Sequence, residues 1–245
     1  MENIGFGIMC FGEEKYFRGT VEKLVNLLEK GYYCYVLTDN PGYFLKDFWG
    51  KRLEIIPYKR DYKSYYDKIS IVKDIHDRHD IAILMDADLH IINYDLFEKL
   101  NRYDFKEGVT YVDTLLNHTA KFETVGDIPM DGIEWVEYKK YVSDLYPNIN
   151  KVETLWEYFI VFNKVGFDSN KFFNTYEKLQ VVKEYCDVKL NKGVSGAGEG
   201  ISVSVSCLVN NIPISKDLRM VSLTQNCLKP ITRHTPTMEI PRYLK

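Results

Sequence analysis

Residues 81–92 read Ile-Ala-Ile-Leu-Met-Asp-Ala-Asp-Leu-His-Ile-Ile. A short continuous apolar run, Ile81–Met85, predicts a strand buried on both faces of a sheet. Asp86 and Asp88 then fall where that strand ends, and in an open α/β sheet ligands bind at the carboxyl ends of the strands. Two like charges resist burial together unless a cation or a strong donor offsets them. Each carboxylate offers a hard oxygen suited to Mn²⁺ or Mg²⁺, and such an ion bridges phosphates. The stretch therefore points to a metal at Asp86 and Asp88, and to an enzyme acting on a nucleoside diphosphate.

Working outward, Ile4–Cys10 predicts a first strand. Behind the turn Phe11-Gly-Glu-Glu-Lys-Tyr16, Val21, Leu24, Val25 and Leu28 follow helical spacing, and Gly31 stands where a capping glycine belongs. Tyr32–Leu37 reads as a second strand, ended by Thr38-Asp-Asn-Pro-Gly42. This β-α-β opening implies a parallel pair. Leu53–Ile56 and Val109–Val112 read as further strands, and Tyr62–His79 as a helix with Ile69, Val72 and Ile75 on one face. Residues 113–133 show no period and read as a long loop. Glu134–Tyr146 reads as a helix stopped by Pro147, and Leu155–Phe162 as a β-prone run interrupted by Glu157. Asp168 is the expected N-cap of a helix reaching about Cys186. Gly193–Gly200 is the most glycine-dense segment, and the spacing of Ile201, Val205, Leu208 and Val209 behind it predicts a helix. From about Lys229 the chain is basic, is broken by Pro230, Pro236 and Pro241, and reads as an extended tail.

The expected fold is a single α/β, Rossmann-like domain over residues 1–245, with a mixed, mostly parallel sheet flanked by helices. Its first half runs to about residue 112, its second covers about 113–228, and the tail covers 229–245. A length of 245 residues with 45% hydrophobic and 27% charged content supports one full core. The net charge of −3 gives no global pull toward nucleic acid or anionic membrane. No segment approaches the ~20 apolar residues of a membrane span, and the opening reads as a strand, not a signal peptide. Cys10, Cys34, Cys186, Cys207 and Cys227 are widely spaced and odd in number, with no Cys-x-x-Cys, which suggests neither a zinc site nor a disulfide framework and fits a reduced, cytoplasmic compartment.

The order of these pieces resembles the GT-A glycosyltransferases, in particular the family of the histo-blood-group A/B transferases and α-1,3-galactosyltransferases with its short bacterial and viral members. The likeness runs through much of residues 4–100. Phe11-Gly-Glu-Glu-Lys-Tyr16 resembles the family's uridine-binding opening, Tyr35-Val-Leu-Thr-Asp39 its second strand, and Tyr58-Lys59-Arg60 its next element. Asp86-Ala-Asp88 takes the place of its metal-binding Asp-x-Asp. Two segments differ: Leu155-Trp156-Glu157-Tyr158-Phe159 is bulkier than the family's Gly-Gly-Ala-rich strand, and Ser195-Gly-Ala-Gly198 replaces an acidic tract.

The resemblance implies a metal-dependent, retaining enzyme that moves a hexose from a UDP-sugar to a hydroxyl of a glycan acceptor. Phe11, Gly12, Tyr16, Asp39, Lys68, Asp86, Lys229 and Arg233 become the expected donor-binding residues. Asp86, Asp88 and His234 become the expected metal ligands, for Mn²⁺ or Mg²⁺. Trp156 and Glu157 are expected at the acceptor, and Glu199 as the catalytic carboxylate ahead of Glu157 and Asp187. For Phe11 and Trp156, plain core packing weighs equally with ligand contact. For Lys68 the competing reading is an ordinary solvated helix lysine, and for Glu199 an exposed glutamate in a flexible glycine loop.

Other functions share parts of this pattern. A phage-type glycosyltransferase acting on modified bases in DNA needs the same donor site, and the acidic balance counts mildly against it. A haloacid-dehalogenase-like phosphatase also ends a strand in Asp-x-Asp, but carries the motif near its N-terminus with Thr two residues later, where this chain has His90. A non-catalytic nucleotide-sugar or glycan binder has no need of an intact acidic pair.

Overall fold

A computed structural model describes residues 3–44, 47–58, 65–91, 93, 95–111, 127–129, 136–153, 155, 159–190, 199–216 and 228–230. Strand β1 (Ile4–Cys10) leads into helix α1 (Glu14–Glu29), then β2 (Tyr33–Thr38), the single-turn α2 (Pro41–Phe44) and β3 (Leu53–Pro57). Helix α3 (Ile71–His76) precedes β4 (Ile81–Asp86), which is followed at once by β5 (Leu89–Ile91). Then come α4 (Asp95–Asn101), β6 (Gly108–Tyr111), β7 (Asp127–Pro129), α5 (Val136–Leu145), β8 (Lys151–Glu153) and β9 (Phe159–Asn163). The last elements are α6 (Ser169–Leu190), α7 (Glu199–Val209), β10 (Ile214–Lys216) and β11 (Leu228–Pro230).

Among the described residues one seven-stranded sheet runs in the order β10-β6-β9-β4-β1-β2-β3. The pairs β4–β1, β1–β2, β2–β3 and β10–β6 are parallel, and only β9 runs antiparallel to its neighbours. The fold is thus α/β with a mixed, mostly parallel sheet, compatible with a Rossmann-like arrangement. None of the described helices is long and apolar enough to cross a membrane.

Alternation along the strands sorts the core into two layers. Phe6, Ile8, Ile83 and Met85 face Phe17, Leu24 and Leu27 of α1 and Leu96, Phe97 and Leu100 of α4. Met9, Ala82, Leu84 and Phe162 face Ile71, Val72 and Ile75 of α3, Phe172 and Tyr176 of α6, and Val203 and Cys207 of α7. Gly5 and Gly7 take the second face of β1 because α3 lies almost on the backbone there. A Cβ at Gly7 would come within 2.5 Å of Leu84 Cδ2 and 2.9 Å of Ile71 Cγ2.

Most local expectations hold to within a residue or two. Helix α1 ends as its sequence predicts: Gly31 takes φ +84° while Tyr32 N–H donates to Leu27 O and Gly31 N–H to Leu28 O, closing the last turn. Asp168 Oδ1 accepts from Lys171 N–H at 3.1 Å and caps α6, which runs on past Cys186 to Leu190.

Four expectations need correction. Within the described part of the helix predicted over 62–79, the chain forms a 3-10 turn over Tyr65–Ser70, in which Ser70 Oγ donates to Asp67 O at 2.6 Å, followed by the short α3; side-chain bonds of this kind compete with regular α-helical winding. The loop predicted over 113–133 contains β7, which pairs antiparallel with β8. Glu199 opens α7 and does not sit in a loop; an acidic residue suits the first turn of a helix. Lys229 belongs to a strand, β11, which pairs antiparallel with β5.

Gly108 has φ +73°, and a Cβ there would strike the carbonyl oxygen of Pro213. Gly108→Ala is therefore expected to cost about 2–4 kcal/mol in urea unfolding. Gly12 also has positive φ, +90°, but open space around it. Gly12→Ala is expected to cost only the backbone strain of about 1 kcal/mol. Equal losses from the two variants would contradict this packing.

Candidate functional site

Strand β1 sits between β2 on one side and β4 on the other: the chain passes from β1 to β2 and β3 and then crosses back to β4, and at such a switch point ligands bind at the carboxyl ends of the strands. Cys10, Thr38 and Asp86 end the three strands; Cys10 pairs in register with Thr38, and Met9 with Asp86. The sequence-predicted residues Phe11, Gly12, Asp39, Asp86 and Asp88 all follow or end these strands and share this end of the sheet.

Strand parity decides which side of the crevice Asp86 meets. It follows Ala82 and Leu84 on the α3 face, where Lys68 stands on the 3-10 turn ahead of α3. Lys68 Nζ donates to Asp86 Oδ1 at 2.5 Å. Lys68 is only 4% exposed against 23% for Asp86, so Lys68 is a buried counter-charge and not a solvated helix lysine. Asp88 is half-buried on the turn that follows.

A second ammonium comes from the opposite face. Lys23 of α1 is 1% exposed, and its Nζ donates to Ala87 O at 2.5 Å and to Leu89 O at 2.7 Å, on either side of Asp88. Burial lowers its pKa to about 8, opposed chiefly by the charge of Asp88 and then by Cys10 and Asp86. Beside it, burial pushes the Cys10 thiol up to about 11. Cys10, Cys34 and Cys207 are free and buried.

On the α3 side of the crevice Phe11 and Tyr58 lie parallel, with centroids 5.9 Å apart and planes 9° from each other. Tyr58 is fixed at both ends: its N–H donates to Thr38 O at 2.7 Å and its hydroxyl to Asp67 Oδ2 at 2.7 Å. Asp67 is buried and adjoins Lys68, so the aromatic pair and the acidic turn are braced by one short segment. Tyr16 belongs to the other layer: it packs half-buried against the α1 core, with Lys15 Nζ 4.7 Å from its ring centroid.

Directly after the acidic turn, β5 pairs with β11, setting Lys229 opposite His90 and Pro230 opposite Leu89. The strand runs toward the turn, and Arg233 and His234 follow its end by three and four residues. Arg233 and His234 lie outside the described residues, as do Trp156, Glu157 and the side chains of Lys229 and Glu199.

Two carboxylates from one turn match the hard-oxygen donor set of a divalent cation that completes its shell with water and phosphate. Among the described residues no group of three His, Cys, Asp or Glu side chains stands together. No protein-family model matches the chain, and no curated protein matches it.

Lys23, Tyr58 and Asp67 enter the site without having been singled out for it by sequence. Lys23 did carry a signal. It lies three residues after Thr20 and four before Leu27, on the buried stripe of α1, where a lysine needs a partner.

Lys68→Met removes a buried counter-charge from the half-buried Asp86 and is expected to destabilise the metal-free protein by about 2–4 kcal/mol. Adding Asp86→Asn should recover part of that loss. A double-mutant cycle in EDTA is expected to give a coupling above about 1 kcal/mol, and additive losses would show that the contact carries no stability.

Proposed function

We propose that this chain is a metal-dependent glycosyltransferase of the GT-A type, moving a hexose from a UDP-sugar to a hydroxyl of a glycan acceptor with retention of configuration. The observation that carries the reading is the acidic pair Asp86/Asp88 at the crevice between β1 and β4, with a basic strand, β11, beside it. Sheet crevices of this kind take nucleotides. Phe11 and Tyr58 supply a flat apolar surface for a uracil ring, and Tyr16, near the start of α1 in the other layer, is proposed as a further donor contact.

Asp86 and Asp88 would hold Mn²⁺ or Mg²⁺, with His234 as the third protein ligand. When bound, the ion offsets charge on the leaving diphosphate as a Lewis acid. Lys68 steadies Asp86 for that task. Lys229 and Arg233 pair with phosphate oxygens in charge-assisted hydrogen bonds. Glu199, at the start of α7, is the carboxylate proposed for the anomeric centre, and Trp156 and Glu157 are proposed for the acceptor. The buried free thiols suit a cytoplasmic setting.

A thermal-shift panel of nucleotide sugars with and without Mn²⁺ tests the reading, since a ligand that binds only the native state raises the melting temperature. UDP with Mn²⁺ is expected to raise it. Asp88→Asn is expected to abolish that rise while keeping the fold, and a shift that survives in Asp88→Asn with EDTA present would refute the metal assignment.

Glu199→Gln is expected to lower UDP release from the donor by about a hundredfold or more, with little change in UDP affinity, because the loss falls on the transition state. Comparison with Glu157→Gln checks the assignment. Near-parental release from the first and collapse in the second would move the catalytic role to Glu157.

A further inference from the structure

We infer that Asp67 is a positioning residue for the nucleobase: by accepting a hydrogen bond from the Tyr58 hydroxyl it sets the Tyr58 ring parallel to Phe11 before any ligand arrives. The inference rests on the glycosyltransferase reading above, in which the two rings meet uracil. Tyr58 is half-buried and stands one residue beyond β3, where the sheet ends among the described residues. An aromatic side chain in such a place keeps several rotamers unless something pins it. Here it is pinned at three points. Its backbone N–H donates to Thr38 O at 2.7 Å, and Thr38 Oγ1 in turn accepts from Asn40 N–H at 3.1 Å. Its hydroxyl donates to Asp67 Oδ2 at 2.7 Å. Its ring lies 9° from the plane of Phe11, with centroids 5.9 Å apart. The platform is thus assembled at the ends of three adjacent strands, since Phe11 follows β1, Thr38 ends β2 and Tyr58 follows β3.

Packing alone needs neither the hydroxyl nor the carboxylate. A phenylalanine would fill the same space, and a buried carboxylate is costly to keep. Asp67 is nevertheless buried, and a bond from a phenol to a carboxylate is short, strong and directional. Asp67 is itself a firm mount. Its carbonyl accepts from Ser70 Oγ at 2.6 Å, and Ile69, two residues on, is fully buried in the α3-face core. The Tyr58 hydroxyl is thereby spent inside the protein, so what this residue offers a ligand is a ring face. A ring face holds a flat base by stacking and reads none of its edge. Asp67 acts through Tyr58 and not by contact with the ligand: the platform is ordered in advance, so binding does not have to order it.

The test compares Tyr58→Phe, Asp67→Ala, Asp67→Asn and the double variant Tyr58→Phe/Asp67→Ala in the full chain, each checked for folding by circular dichroism and thermal melting. Calorimetric titrations with UDP are run at saturating MnCl₂, and repeated with inorganic pyrophosphate, which lacks the base. Tyr58→Phe keeps the ring and loses only the tether, and it is expected to weaken UDP binding about threefold to tenfold. Its loss for pyrophosphate is expected to be smaller than its loss for UDP. Asp67→Ala is expected to match Tyr58→Phe for UDP, and the double variant to lose no more than either, because both break one bond. Asp67→Asn keeps an oxygen that accepts from the hydroxyl and is expected to stay within about twofold of the parent. Should Asp67→Ala fail to fold, Tyr58→Phe and Asp67→Asn carry the comparison. Parental UDP affinity in Tyr58→Phe overturns the inference, as do additive losses in the double variant or equal losses for UDP and pyrophosphate. A parent that does not bind UDP with Mn²⁺ refutes the glycosyltransferase reading itself, and the inference falls with it.

Discussion

Two carboxylates one residue apart at the mouth of a buried strand repel each other and resist leaving water, and the local architecture is built around that cost. Lys68 answers it from one layer and Lys23 from the other. Each lysine brings its own element into position. Lys68 sets the 3-10 turn against the end of β4, and with that turn come Asp67 and the tyrosine it anchors. Lys23 ties the middle of α1 to the backbone after β4 and so fixes the helix along its length against the first sheet layer. The aromatic pair, the first helix and the acidic turn are thereby braced by polar contacts as well as by apolar packing.

The central sheet was legible because its strands are local patterns. Ile4–Cys10 and Ile81–Asp86 are apolar runs long enough to declare themselves, and the start signal at Asp168 and the stop signals at Gly31 and Pro147 are chemical necessities of chain geometry. The three-residue strands β5, β7, β8, β10 and β11 were not legible. Three residues carry no period, and what makes them strands is a partner far away in sequence. The helix predicted over 62–79 failed for a different reason. Apolar spacing continues through Ile69, Val72 and Ile75, but side-chain hydrogen bonds at Asp67 and Ser70 tighten the first half into another winding.

The site divides along the same line. Asp86 and Asp88 were readable because a polar pair after an apolar run breaks a pattern. Lys68 was readable only through resemblance, and its burial could not be foreseen, since that depends on which face of β4 Asp86 occupies. Lys23 breaks a pattern too: it is the charged residue on a stripe of Phe17, Thr20, Leu24 and Leu27. An isolated lysine on a helix is usually solvated, so that break was weaker than a pair of aspartates after a strand. Tyr58 gave no such sign, because an aromatic residue beyond an edge strand has many places to pack.

The pairing of β5 with β11 joins the hairpin after the acidic turn to a segment made much later in synthesis. On the ribosome the seven-stranded sheet can gather most of its strands while β5 still waits with an open edge. The acidic turn and β5 are thus made long before the strand that borders them. Unpaired edges are where chains associate wrongly, and charged flanks guard against it. The edge of β5 is closed only once β11 has been made.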